Sequence, residues 1–559
     1  MNRRLILVLL LVATFAVLGR CVWGEFTTLD DTFTVANNPR LNPPTGETLA
    51  YYWDPRHPEF SLYIPMTYTV WAGVAVLARV PDVVPGQWVL NPWMFHAANL
   101  LIHSLSVLLV FAILRQLVRS NLAAMLGAML FAIHPLQVES VAWISGLKDV
   151  LSGFFAVAAI WCYVNFADER EAVPSRSEEE SDTPLSPNAR WGFYAAGLAM
   201  LILGMLSKPA AMTVPLVAGV IDRFVLRRSW RDAIVWPGLW QIIVLPIMWI
   251  AQFSQPAIGV AKSPLWARPL IVLDSITFYV GKLILPFNLA VDYGRIPQKL
   301  IDGGFLWWTM LVPVALAIVV IVLRKDVREL IPSSLIFILA PLPTLGLVTL
   351  LYSHISTVAD HYLYFAMLGP ALLTAGLVVE FGRSAVSVIS VALVIFAFLS
   401  FKQAGRWQND ITLFSHTLSV NPASFLSASN LGTAYYNAGD YSQALETFDR
   451  GVRAYPEHFQ SRLGRAMALI RTGNVDDGLD EAYAAMDIKA KLPKEVRGDL
   501  IGPLYAIAEA LMSQNRREEA IGFMRIAIRT MPDSTQARQL MLELDKQAAT
   551  TQQSPTTQP

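Results

Sequence analysis

Residues 384–456 read SAVSVISVALVIFAFLSFKQAGRWQNDITLFSHTLSVNPASFLSASNLGTAYYNAGDYSQALETFDRGVRAYP. The first part, 384–401, carries no charge and is about as long as the run of ~20 apolar residues a helix needs to cross a bilayer. Residues 402–456 are polar, with small residues at helical spacing and proline at Pro422 and Pro456, 34 residues apart. The chain therefore passes here from membrane helices to a soluble helical repeat, and the expected fold is all-α: a polytopic membrane bundle followed by an α-solenoid. Composition agrees. Of 559 residues, 54% are hydrophobic and 15% charged, against about 25% charged in soluble domains. The long apolar runs lie almost entirely before residue 401. A net charge of zero offers nothing to nucleic acid. Cys21 and Cys162 lie at or in apolar runs, so neither a disulfide framework nor a metal site is indicated.

Working back from that boundary, about eleven segments could span: 5–23, 93–114, 120–137, 150–166, 191–207, 210–226, 233–252, 305–323, 331–351, 363–381 and 384–401. Arg20 directly before Cys21 does not suit a cleavage site, so the first run reads as an uncleaved span. With Arg3 and Arg4 in the cytoplasm, the dense basic clusters all fall inside: Arg115 and Arg119; Arg170, Arg176 and Arg190; Arg223, Arg227, Arg228 and Arg231; Arg324, Lys325 and Arg328; Arg383. An odd count then places the C-terminal domain outside. Residues 254–304 are read as holding an embedded or interfacial helix on the outer side. The Glu178–Glu180 run reads as a solvated loop.

Working forward, Leu431, Gly432, Tyr435, Gly439, Ala444, Phe448 and Pro456 sit at tetratricopeptide (TPR) spacing. Ala466, Leu469, Gly473 and Ala482 repeat it. Ala508, Leu511, Ala520, Met524, Ala527 and Pro532 form a third unit after eight extra residues. The expected domains are 1–401, with an outer loop 24–92; a repeat domain, 402–545; and a disordered tail, 546–559.

Ionisable groups cluster on the expected outer rim, where function concentrates. Asp30 and Asp31 come just after the first span. His134, Glu139, Lys148 and Asp149 share the next outer connection. Lys208 ends the fifth span, Lys282, Asp292, Tyr293 and Arg295 lie in 254–304, and His354, Asp360, His361 and Tyr362 occupy the last. A carboxylate there can deprotonate a hydroxyl while cations hold an anionic phosphate leaving group. Each group also has a plainer reading. An Asp-Asp pair is usually a turn or a cap. His96 and His103 on the second span suit contacts between helices. Lys208 can snorkel. Trp88, Trp93, Trp143, Trp191, Trp307 and Trp308 suit an interfacial belt. The shared sidedness of acids and bases favours the functional reading.

The strings FHAANLLIH (95–103), LDD (29–31), IPMT (64–67), LSKP (206–209) and above all HPLQVESVAWISGLKDVLS (134–152) resemble the transmembrane and TPR repeat-containing O-mannosyltransferases and their bacterial relatives. Ala359-Asp360 with Tyr362-Leu363-Tyr364, and Arg406-Trp407 leading into Asn430-Leu431-Gly432, add to the likeness. The resemblance implies a GT-C fold and transfer of a sugar from a polyprenyl-phosphate carrier to a protein or envelope-glycan acceptor outside the cytoplasm, in a bacterial inner membrane. It implies catalysis by one of Asp30 and Asp31, with His96, His103, His134, Glu139, Lys148, Asp149, Lys208, Asp360 and His361 as donor or substrate contacts. The TPR domain would recruit a protein partner, and no metal ligand set stands out, although a divalent ion fits such chemistry. This chain departs from the pattern at Leu147 and His361, where the family often has Arg. A non-catalytic TPR scaffold is the alternative from another class. A transporter would place charge near the midplane instead.

Overall fold

The computed structural model describes residues 2–59, 62–82, 88–168, 187–253, 263–348, 351–491, 501–530 and 542. The Glu178–Glu180 run, Pro532 and the tail 546–559 lie outside them. The described chain is helical apart from one two-stranded antiparallel ribbon, β1 (Arg79–Pro81) with β2 (Trp88–Leu90). It divides into two compact units, Met1–Thr412 and Leu413–Pro559.

In the first unit the helices are α1 (Arg3–Leu18), α2 (Gly46–Trp53), α3 (Pro65–Ala78), α4 (Pro92–Val118), α5 (Asn121–Ile133), α6 (Val138–Ala142), α7 (Leu147–Ala167), α8 (Pro187–Ser207), α9 (Val214–Val220), α10 (Trp230–Phe253), α11 (Arg268–Ile284), α12 (Pro297–Asp302), α13 (Phe305–Thr309), α14 (Leu311–Leu323), α15 (Leu330–Leu339) and α16 (Leu368–Arg406). Local chemistry sets their starts. The Asn91 side chain accepts from the Trp93 N–H, with Pro92 at the first helical position, and Ser120 accepts from the Ala123 N–H.

Among the described residues seven helices are long and apolar enough to cross a membrane, eight if the bent pair 121–133 and 135–142 counts as one span. The expected eleven segments differ from these helices at three places, each marked by proline. The 120–137 segment breaks at His134-Pro135 with a 49° bend. The 210–226 segment is a 3-10 turn, the seven residues of α9 and a π turn. Among the described residues of 331–351, α-helix is confined to α15, before Pro341 and Pro343. Proline removes a backbone donor and crowds the preceding turn, so apolar runs of spanning length are cut short.

The last two expected spans are helical, 363–381 only from Leu368, and sit in one helix, α16, interrupted at Gly382 (φ 54°, ψ −127°). Tyr364 packs on Phe131 (ring centroids 5.6 Å) while Phe396 packs on His134 (4.6 Å), and Ser400 Oγ donates to the Ile133 carbonyl at 2.6 Å. A straight helix would carry residues 368 and 396 about 42 Å apart at ~1.5 Å per residue. Their neighbours on and just after α5 are a turn apart, so α16 folds back on itself at Gly382.

In the second unit α17 (Asp410–Val420), which starts at the boundary, is followed by the pairs α18 (Phe425–Asn437) and α19 (Tyr441–Ala454), α20 (Phe459–Arg471) and α21 (Val475–Lys491), and α22 (Ile501–Ser513) and α23 (Arg517–Thr530). The turn within each pair carries a left-handed residue: Gly439 (φ 80°), Gly473 (φ 93°) and Asn515 (φ 59°). The first two are 34 residues apart and the third 42, the repeat period plus the eight-residue insertion. Phe448 is buried and fills the space over Gly432 and Gly464, which lets α18 and α20 close on α19.

Candidate functional site

The two adjacent carboxylates of the outer loop have different surroundings. Asp31 has no exposed surface. The Thr27 N–H and hydroxyl donate to one of its oxygens at 3.1 and 2.9 Å; the Ser145 N–H and hydroxyl donate to the other at 2.8 and 2.6 Å. Burial pushes its carboxyl up to about 6 against these bonds from Ser145 and Thr27. Asp31 thus ties the loop after α1 to the turn before α7. Asp30 keeps 35% of its side chain exposed and meets the Lys148 ammonium at 3.5 Å. Burial moves its carboxyl upward and the Lys148 charge opposes this. The same loop is held from below: Asp410 accepts from the Thr28 N–H at 3.0 Å, and the Gln408 carbonyl accepts from the Glu25 N–H.

The first turn of α7 directs its two charged residues to opposite sides. Lys148 lies over the Trp143 ring (4.3 Å) and reaches Asp30. Asp149 reaches back to Lys208, which stands over the Tyr362 ring at 5.3 Å. Glu139, on α6, hydrogen-bonds Nδ1 of His361, whose ring is 5.7 Å from Trp143. Asp360 accepts from the Tyr293 hydroxyl through both oxygens at 2.9 Å. The pairs Asp30–Lys148, Asp149–Lys208 and Glu139–His361 therefore lie side by side, bridged by the Trp143 and Tyr362 rings, with Asp31 and Asp360 next to them in the chain. A small cleft opens beside them, lined by Asp149, Lys208 and His361 and by apolar groups that include Ala156, Pro341 and Phe365.

The remaining predicted residues lie elsewhere. His103 bonds the Tyr364 hydroxyl and the Ala132 carbonyl, His134 caps the break after α5 and bonds the Leu283 carbonyl, and His96 bonds the Glu25 carbonyl. All three are buried contacts between segments. Trp143, expected in an interfacial belt, is buried between Lys148, His361 and Trp407, because 135–146 folds inward as short turns rather than continuing a span. Sequence reasoning missed Ser145 and Thr27 as the partners of Asp31. The hydroxyl at Ser145, directly in the most distinctive motif, was the available signal. Among the described residues no three His, Cys, Asp or Glu side chains are grouped to hold a metal.

A dolichyl-phosphate-mannose-protein mannosyltransferase model matches residues 83–258, which include Glu139, Lys148, Asp149 and Lys208, and a tetratricopeptide-repeat model matches 429–493. The chain is 24% identical over 472 residues to a protein O-mannosyl-transferase of Caenorhabditis elegans, covering 79% of this chain and 61% of that one. It is 23% identical over 592 residues to protein O-mannosyl-transferase TMTC3 of Homo sapiens, covering 95% and 62%. The chain is a relative of these protein O-mannosyl-transferases. It spans about three fifths of the length of these curated relatives. An oligosaccharyltransferase of Archaeoglobus fulgidus, solved in the apo form, aligns with 71% of the chain and 55% of its own at 14% identity and a TM-score of 0.37. The membrane-length helices and the mannosyltransferase match make this an integral membrane protein.

Proposed function

We propose that this chain is a GT-C-type membrane glycosyltransferase that moves a sugar from a polyprenyl-phosphate carrier to a hydroxyl of a protein or envelope acceptor outside the cytoplasm. The observation that carries the proposal is the division of labour in the acidic pair: Asp31 is saturated with hydrogen bonds, while Asp30 is partly exposed beside Lys148. Asp30 takes the acceptor proton, the acceptor oxygen attacks the anomeric carbon, and the bond to the phosphate breaks with its electron pair on the phosphate oxygen. Lys148 and Lys208 steady the phosphate charge. The apolar cleft walls suit the carrier's hydrocarbon chain, and the basic clusters of the opposite connections support an outward-facing site. The TPR unit selects the acceptor by binding a partner or the acceptor itself. The named carboxylates are engaged by Lys148, Ser145, Thr27 and Lys208.

The test is transfer from a polyprenyl-phosphate sugar to an acceptor by the purified full-length chain. Asp30→Asn should lower the rate by about 10²–10⁴-fold, the usual contribution of a positioned base. Transfer at the wild-type rate by Asp30→Asn would remove Asp30 as the base, and no transfer by the wild type would leave a membrane-anchored TPR scaffold as the better reading.

A further inference from the structure

His361 lines the cleft with one ring nitrogen engaged and one not. Its Nδ1 bonds Glu139, and with Glu139 ionised that nitrogen carries the proton and Nε2 keeps a free lone pair. Among the described residues Nε2 has no protein partner. The charged groups facing this imidazole come from every element around it. Glu139 lies on α6, Lys148 and Asp149 on α7, and Lys208 after α8. Asp360 precedes it in the same turn and is held by Tyr293. Asp30 enters through Lys148.

Two ammoniums, Lys148 and Lys208, stand in this neighbourhood with four carboxyl groups, Asp30, Glu139, Asp149 and Asp360. An arriving phosphodiester adds a negative charge to a set in which carboxyl groups already outnumber ammoniums, and like charges repel more strongly in a partly buried site than in water. A proton taken up at the cleft offsets that repulsion, and Nε2 is the unpartnered nitrogen that faces it.

We propose that the Glu139–His361 pair is a proton-coupled phosphate contact: the carrier phosphodiester binds together with a proton on His361 Nε2, which then donates to a phosphate oxygen. This rests on the proposed polyprenyl-phosphate donor and adds a regulation to its binding. Burial, with the Lys208 and Lys148 charges, drives the free imidazole well below its usual range, so the resting site holds it neutral. The phosphate charge reverses that bias. After transfer the same N–H lies against the leaving phosphate oxygen that has gained the C–O electron pair. Donor affinity is therefore highest below the free-state value of His361, falls as pH rises above it, and levels off above the bound-state value.

The experiment measures binding of a short polyprenyl methyl phosphodiester, which keeps a single negative charge throughout, to the full-length chain in zwitterionic nanodiscs between about pH 5.5 and 8.5. The wild type should lose up to about tenfold in affinity per pH unit as pH rises, the signature of one linked proton. His361→Arg, with a fixed charge, should bind with a flat pH profile. Glu139→Gln keeps the hydrogen bond but removes the supporting charge, and should shift the wild-type profile to lower pH. A flat wild-type profile, or a slope that survives in His361→Arg, overturns the proposal while leaving the donor reading intact. A slope abolished by Glu139→Gln but not by His361→Arg assigns the proton to Glu139 and also overturns it. No binding at any pH overturns both.

Discussion

At the residue scale, adjacency in sequence did not mean equivalence in chemistry. Two neighbouring carboxylates on a turning chain point apart, and here one points into the protein and one toward solvent. Asp31 accepts four hydrogen bonds, and bonds to a charged group each contribute roughly 1.5–3 kcal/mol. In Asp31→Asn the amide must turn an NH₂ toward either the Thr27 or the Ser145 donors. We expect that variant to lower the melting temperature and to reduce transfer through loss of positioning, whereas Asp30→Asn should melt like the wild type. A matching loss of stability in both would argue against the division of roles. The base also predicts a pH dependence. Asp30 must be ionised to act, and burial raises its carboxyl above the ordinary value while Lys148 pulls it back. Transfer should fall as pH drops through that value. Lys148→Met removes the opposing cation, so the acid limb of the kcat/KM profile should move to higher pH. An unmoved limb would dissociate Lys148 from Asp30.

At the element scale, proline and glycine govern what the apolar runs become. A hydropathy reading sees eleven segments, but Pro135, Pro215, Pro341 and Pro343 convert some into short turns that line the cleft instead of crossing beside it. Such irregular backbone at membrane depth is tolerated when it is buried in protein, as 134–146 is. Gly382 is the opposite device. At φ 54° and ψ −127° it occupies a region open essentially to glycine alone, and it turns α16 back along α5. A Cβ there would touch no other atom, so a substitution tests the backbone alone. Gly382→Ala should cost on the order of 1–3 kcal/mol, read as a lower melting temperature. Gly19→Ala, also unobstructed but at φ −58°, is the control and should be neutral.

At the scale of the whole molecule, the membrane unit extends past its last apolar residue. Gln408 and Asp410 hold the backbone of the loop that carries Asp30 and Asp31, and Trp407 packs against Trp143 at 6.3 Å. A chain ending at residue 401 would lose these ties. We therefore expect truncation after Val420 to preserve binding of the carrier phosphodiester and transfer to a small surrogate hydroxyl, while lowering transfer to the natural acceptor. Truncation after Phe401 should abolish both. Equal activity of the two truncations would separate residues 402–412 from the site.

The sequence by itself determined the all-helical class, the 34-residue repeat with its turn glycines, and the set of charged residues from which the site is drawn. Those properties are periodic or compositional, and each is written in a short window: Leu431 to Pro456 for the repeat, 134–152 for the charged turn. Partnership was not legible there. Ser145 meets Asp31 across 114 positions and His361 meets Glu139 across 222. No local propensity encodes such distances. Only tertiary packing decided that Asp31 is a clamp and Asp30 is open, that Lys148 and Asp149 face different neighbours, and that His103 and His134 stay within the helical interior. The physical reason is the same in each case. A buried polar group must find its partner wherever the fold brings one, and burial itself is a property of the assembled bundle rather than of any segment.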